Sequence, residues 1–187
     1  MMKNVFLAGI AGAIVLFIWS SISWMVLSWH EKTLHEFKNE TTVVTILKEN
    51  IDKSGVYFSN QTTKNHAAGT GNNMPAVFAS VSLEPTAGMS RALVISFVMQ
   101  LVTAWLVAYM LAKTAITCHY GRVFFVVIFA VAAAIIGNLP YWNWWGFEIN
   151  YTLVTIVDMI IGWFLAGLAI AALVKCRPCS AEKTTAQ

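Results

Sequence analysis

The sequence predicts an all-α membrane protein: four transmembrane helices with a small extracytoplasmic α+β insertion between helices 1 and 2. Three observations predict it. Hydrophobic residues make up 58% of the 187 before glycine is added, against about 45–50% with glycine for a soluble domain. Charged residues are 11%, where about 25% is usual, and mean hydropathy is +0.65. Four unbroken apolar runs cover residues 5–27, 92–112, 123–139 and 153–174, and a bilayer-crossing helix needs roughly 17–25 such residues. A water-soluble globule of this size cannot hide that much apolar surface. Three cysteines also exclude a disulfide scaffold.

The first run, residues 5–27, exceeds the short apolar core of a cleaved signal peptide and is followed by no A-x-A site, so it reads as a retained helix. The segment 28–91 is the only part polar enough to fold in water. Within it Leu34, Phe37, Val44, Leu47 and Ile51 recur at helical spacing and predict a helix inside residues 32–52, although the β-branched run at 41–46 also suits extended chain. Ser54-Gly55 breaks that pattern, and residues 56–58 and 76–81 read as two short strands around a polar, turn-rich loop at 61–73. The second run, 92–112, and the short third run, 123–139, are joined by a loop at 113–122. Arg122 is placed to snorkel at one end of the third run, and Tyr141 and Trp142 anchor the other. An aromatic loop follows at 140–152, then the fourth run at 153–174 and a cytoplasmic tail at 175–187.

Orientation follows from Lys and Arg. Lys3, Lys113, Arg122, Lys175, Arg177 and Lys183 crowd the short flanks on one side, whereas an equal number is spread over the long segment 28–91 and none lies in 140–152. Basic density therefore predicts that both termini are cytoplasmic. The net charge of +3 reflects this topology and gives no reason to invoke nucleic acid.

Asp158 is the one formal charge inside any predicted span. A carboxylate there costs a few kcal/mol unless it is paired, hydrated or protonated. Gln100, Ser20, Ser21, Ser23 and Asn138 fall in the same outer half of the membrane and predict one polar cluster around it. Two readings stand: interhelical hydrogen bonds that fix packing, or a proton or ligand site open to the outside. Trp24, Trp29, Tyr141, Trp142, Trp144 and Trp145 gather at the outer ends of helices, as an interfacial belt does and as the rings of a ligand pocket also would. His30, Glu31, His35 and Glu36 read as a solvated polar face. On the other side Cys118, His119, Cys176 and Cys179 form a weak candidate for a zinc or thiol site. No catalytic motif is present, and no cofactor is expected.

Small residues predict close packing. Ala8-x-x-x-Gly12 and Gly9-x-x-x-Ala13 mark the first helix, and Gly162-x-x-x-Ala166 and Gly167-x-x-x-Ala171 the fourth, so the first is expected to pack on the fourth.

Residues 12–30, the Ser54-Gly55-Val56-Tyr57 turn and the NLPYWNWWGF string at 138–147 resemble a family of small, about four-helix bacterial inner-membrane proteins of uncharacterised activity that share a PYWNWWGF-type motif. The resemblance implies a location and a topology, and no reaction. The leading expectation is a non-enzymatic accessory or structural subunit in the lipid bilayer, bound to another membrane or periplasmic protein or to itself as a homo-oligomer. The alternatives are a small carrier or ligand-binding protein built on the Asp158 cluster, and a cytoplasmic-face thiol or zinc protein.

Overall fold

The structure, a computed structural model, describes residues 2–59, 77–84 and 88–174. The loop at 61–73 and the tail with Cys176 and Cys179 lie outside the described residues. Helix α1 is Met2–Met25, a 3-10 turn covers Glu31–Thr33, and α2 is Glu40–Asn50. Strands β1, Gly55–Phe58, and β2, Phe78–Val81, precede α3, Met89–Ala112, α4, His119–Trp145, and α5, Ile149–Leu173.

Helices α1, α3, α4 and α5 are each long and apolar enough to cross a membrane, so this is a multi-pass membrane protein. The shortest has 24 residues, about 36 Å at 1.5 Å per residue, against a hydrocarbon core of about 30 Å. The spans do not pack in sequence order. α1 packs on both α3 and α5, and α5 packs on α4, whereas α3 and α4 touch little although only residues 113–118 separate them. The lateral order is therefore α3–α1–α5–α4.

Small residues explain that order, because lipid supplies no hydrophobic drive and helices must gain from close contact. A Cβ at Gly9 would lie 1.7 Å from Cδ1 of Trp105 in α3, and one at Gly12 would lie 2.7 Å from Cδ1 of Ile170 in α5. On α5 a Cβ at Gly162 would meet Trp19 Cδ1 at 2.8 Å, whereas at Gly167 it would meet Val126 of α4 at 3.3 Å. The first and last helices thus pack as their motifs predict. The second small-residue pair of α5 serves α4 as well.

Helix ends are closed by specific groups. Asn39 Oδ1 accepts from the Thr42 N–H at 3.0 Å and starts α2. The Cys118 sulfur accepts from the Gly121 N–H at 3.3 Å and starts α4. Arg122 turns inward: its Nη1 donates to the Ala171 and Val174 carbonyls and its Nη2 to Thr117 O, covering carbonyls that the C-terminus of α5 leaves open.

Much of the expected aromatic loop is helical. α4 runs through Pro140 to Trp145 and ends at Gly146, whose φ of 70° is the left-handed cap that glycine adopts most easily. Only residues 146–148 separate α4 from α5. Proline there removes one backbone donor near a helix end, which costs less than in mid-span because neighbours and side chains can satisfy the freed carbonyl.

The insertion is α+β as expected. β1 and β2 pair antiparallel with Gly55 opposite Val81 and Phe58 opposite Phe78. The hairpin rests on the end of α4: Phe78 stacks on Trp145 at 4.8 Å and Phe58 meets the same ring edge-on at 5.3 Å. His35 Nε2 reaches Glu148 Oε2 at 3.0 Å. The Asn150 side-chain amide, with His35 second, holds the Glu148 carboxyl below the usual carboxylate range.

The Trp105 ring is itself fixed, its Nε1 donating to Phe6 O at 3.1 Å, so it cannot swing away from a methyl at position 9. We expect Gly9→Ala to lower the thermal unfolding midpoint in detergent by the equivalent of about 1–3 kcal/mol of overpacking. Gly137→Ala, where nothing lies within 4 Å, should leave the midpoint unchanged or raise it. Equal effects from the two variants would show that the α1–α3 contact is not this close.

Candidate functional site

Asp158 lies nine residues into α5, too deep for its carboxylate to reach bulk water cheaply. α1 supplies its first partner. Trp19 Nε1 donates to Asp158 Oδ1 at 2.7 Å, with the Asp158 carbonyl at 3.2 Å from the same nitrogen. The indole reaches so far because Gly162, one turn along α5, has no side chain in its way.

The second partner comes from outside the spans. After Met25 the chain reverses, with Leu27 N–H donating to Ile22 O at 3.0 Å, and returns His30 to the side of α5. His30 is 2% exposed. Its Nε2 lies 3.4 Å from Asp158 Oδ2 and 3.1 Å from Ser23 Oγ. Trp24 stacks on the imidazole at 3.9 Å and 8°, and Trp29 closes another side at 5.6 Å and 80°. Trp29 Nε1 also donates to Ser23 Oγ at 2.9 Å. A carboxylate and a hydroxyl thus both face Nε2. Nδ1 is buried and has no partner among the described residues.

A cavity of about 370 Å³ opens beside this group between α1, α3 and α5, lined among others by Trp19, Ser20, His30, Gln100, Thr155 and Asp158. From α3, Gln100 Nε2 donates to Ser20 Oγ at 3.2 Å, and the buried Gln100 Oε1 has no partner among the described residues.

The structure divides the residues singled out from sequence. Asp158, Gln100 and Ser20 share the cavity, and Ser23 stands behind it through His30. Ser21 only donates to Phe17 O of its own helix, at 2.8 Å. Asn138 donates to Ala134 O at 2.8 Å and lines a separate cavity of about 200 Å³ with Tyr141, Phe147 and Tyr151. Trp24 and Trp29 hold His30, and Trp145 carries the hairpin, whereas Trp142 and Trp144 are exposed as belt residues are. His119 meets only the Tyr120 ring, and Cys118 caps α4; their two proposed companions lie outside the described residues.

Two residues were missed or undervalued in the sequence. His30, a solvated face by sequence, is instead the buried partner of Asp158; Trp19, which the polar-cluster pattern leaves out, is its donor. The signal in both cases is a run of tryptophans around a histidine at the end of a span.

Replacing Asp158 tests this arrangement. Asp158→Asn keeps an acceptor for the Trp19 N–H and should unfold close to the parent. Asp158→Leu removes the nearer acceptor of Trp19 and the carboxylate beside His30, leaving the residue-158 carbonyl and Ser23 Oγ as their partners, and should lower the unfolding midpoint by the equivalent of about 1–3 kcal/mol. A leucine variant as stable as the parent would mean that Trp19 and His30 do not depend on this carboxylate.

Compared with known proteins, the chain matches no family model, no curated protein and no solved structure.

Proposed function

We propose that this is a ligand-binding membrane protein of the bacterial inner membrane, with both termini in the cytoplasm and its binding cavity facing the periplasm. One observation carries the reading over that of an accessory subunit. The only acidic side chain in the four spans lines a cavity and is held there by Trp19 and by a buried His30. Hydrogen bonding for packing alone needs side chains that close on each other, and here they border open volume. A carboxylate oriented by fixed donors at the wall of an apolar cavity is the usual makeup of a small-molecule site, in which a few placed polar groups choose the ligand.

The orientation is supported by the basic residues at the two termini and around 113–122. We propose further that the chain belongs with the small bacterial inner-membrane proteins that residues 12–30 and 138–147 resemble. In this frame the 26–88 segment and the 146–148 turn lie on the periplasmic side.

Two experiments test the proposal. Cysteines placed at the exposed Glu49 and Trp144, with native cysteines changed to serine, should react with an impermeant thiol reagent in intact cells. The exposed Cys118 of the parent should react only after permeabilisation. The reverse pattern would invert the orientation. For binding, small amphiphiles should raise the unfolding midpoint of the parent but not of Thr155→Phe, which fills the cavity. At a hundredfold excess over Kd the stabilisation is about 2.7 kcal/mol. If every compound that stabilises the parent stabilises Thr155→Phe equally, the cavity is not a binding site.

A further inference from the structure

We infer that the Asp158 cavity selects an organic cation bearing N–H donors, an amphipathic amine rather than a neutral carbonyl compound or an anion. The inference rests on the binding function proposed above and names its ligand class.

The wall of the cavity is rich in acceptors whose own protons are committed elsewhere. Ser20 Oγ donates to Phe17 O at 3.1 Å, Thr103 Oγ1 to Met99 O at 2.8 Å, and Thr155 Oγ1 to Tyr151 O at 2.9 Å. The Trp19 N–H is taken by Asp158. Because the Ser20 proton goes to Phe17, the nitrogen of the Gln100 amide must face Ser20 Oγ, and this leaves Oε1 as the unmet atom. Beside the second N–H of Gln100 and the indole N–H groups of Trp24 and Trp163, what the wall offers a ligand is hydroxyl lone pairs, an amide oxygen and a carboxylate. A ligand that only accepts hydrogen bonds would leave the Gln100 oxygen unmet and set its own oxygens against the carboxylate. An anion would add repulsion from Asp158 at low dielectric.

Charge points the same way. Asp158 is the only acidic residue in the four spans, and Arg122, a basic residue of α4, spends its guanidinium on carbonyls at the far end of α5. Among the described residues the ionisable side chain that faces Asp158 is His30, whose Nε2 lies between Ser23 and Asp158. Carboxylate oxygens accept several hydrogen bonds each, so capacity for an ammonium remains after the Trp19 contact. Indole faces and thioethers of Trp19, Trp24, Trp163, Met99 and Met159 complete the wall. They suit an apolar body, and an indole face is itself attractive to a cation.

The test uses the full chain in phosphatidylcholine nanodiscs and three probes on one skeleton: 4-phenylbutylamine, 4-phenyl-1-butanol and 4-phenylbutyrate. Isothermal titration, corrected with empty nanodiscs, should show the amine binding at least about tenfold more tightly than the alcohol, the advantage expected of a charge-assisted contact. The carboxylate should give no heat above the blank. Asp158→Asn should bring the amine down to the level of the alcohol. The comparison of probes on the parent needs no variant, so it decides the matter even if Asp158→Asn does not fold. Alcohol or carboxylate binding as tightly as the amine, with loss in Thr155→Phe, would overturn the cation and leave the binding function standing. Failure of all three to bind would overturn both.

Discussion

A carboxylate placed among lipid-facing helices has to find partners, and the arrangement around Asp158 follows from that need. Taking an ion out of water costs several kcal/mol even after relaxation, and the cost is offset only by well-placed donors and opposite charge. α5 offers none, because Thr155, one turn back, donates to Tyr151 O and the other neighbouring positions are apolar. A donor therefore comes from α1, as the indole of Trp19, and a second partner from the chain beyond α1, as the imidazole of His30. Bringing His30 in requires the reversal after Met25, and the two flanking tryptophans then shield the ring. The start of the insertion is thus tied to the middle of the bundle by the same group that borders the cavity.

Packing and site are not separate features here. Gly162 belongs to the small-residue pattern that brings α1 against α5, and its missing side chain is also what leaves room for Trp19. Gly9 and Gly12 set how closely α1 approaches α3 and α5, and so the width of the space between them. With α1 in the middle of three helices, the cavity has walls from all three: Trp19 and Ser20 from α1, Gln100 and Thr103 from α3, Thr155 and Asp158 from α5. α4 stands apart from it and supports the hairpin through Trp145.

The ends of the helices show a second use of the same economy. Polar groups that look like candidates for chemistry are absorbed by the backbone: Arg122 by the last carbonyls of α5 and Cys118 by an amide at the start of α4, both left open at helix ends, and Asn138 by the Ala134 carbonyl one turn back. In lipid an unsatisfied backbone group costs more than in water, so a nearby side chain is drawn to it before any other role.

The amino-acid sequence by itself determined the class of the protein and its four spans, because length and hydropathy are one-dimensional and a bilayer reads them directly. It also determined the α+β character of the insertion, through spacing and turn residues, and the contact of α1 with α5, through paired small residues. It singled out Asp158 because a lone charge in a span is conspicuous at any register. It did not reveal the partner. His30 lies 128 positions away in a polar stretch, and the tryptophans around it mark the end of a span without telling which helix the ring folds back onto. The lateral order of the spans, the extension of α4 through Pro140 and the separation of Asn138 from Asp158 were likewise decided only in three dimensions. Each depends on which face of a helix meets which neighbour, and small differences in close packing settle that choice where burial in lipid is equally favourable for every face.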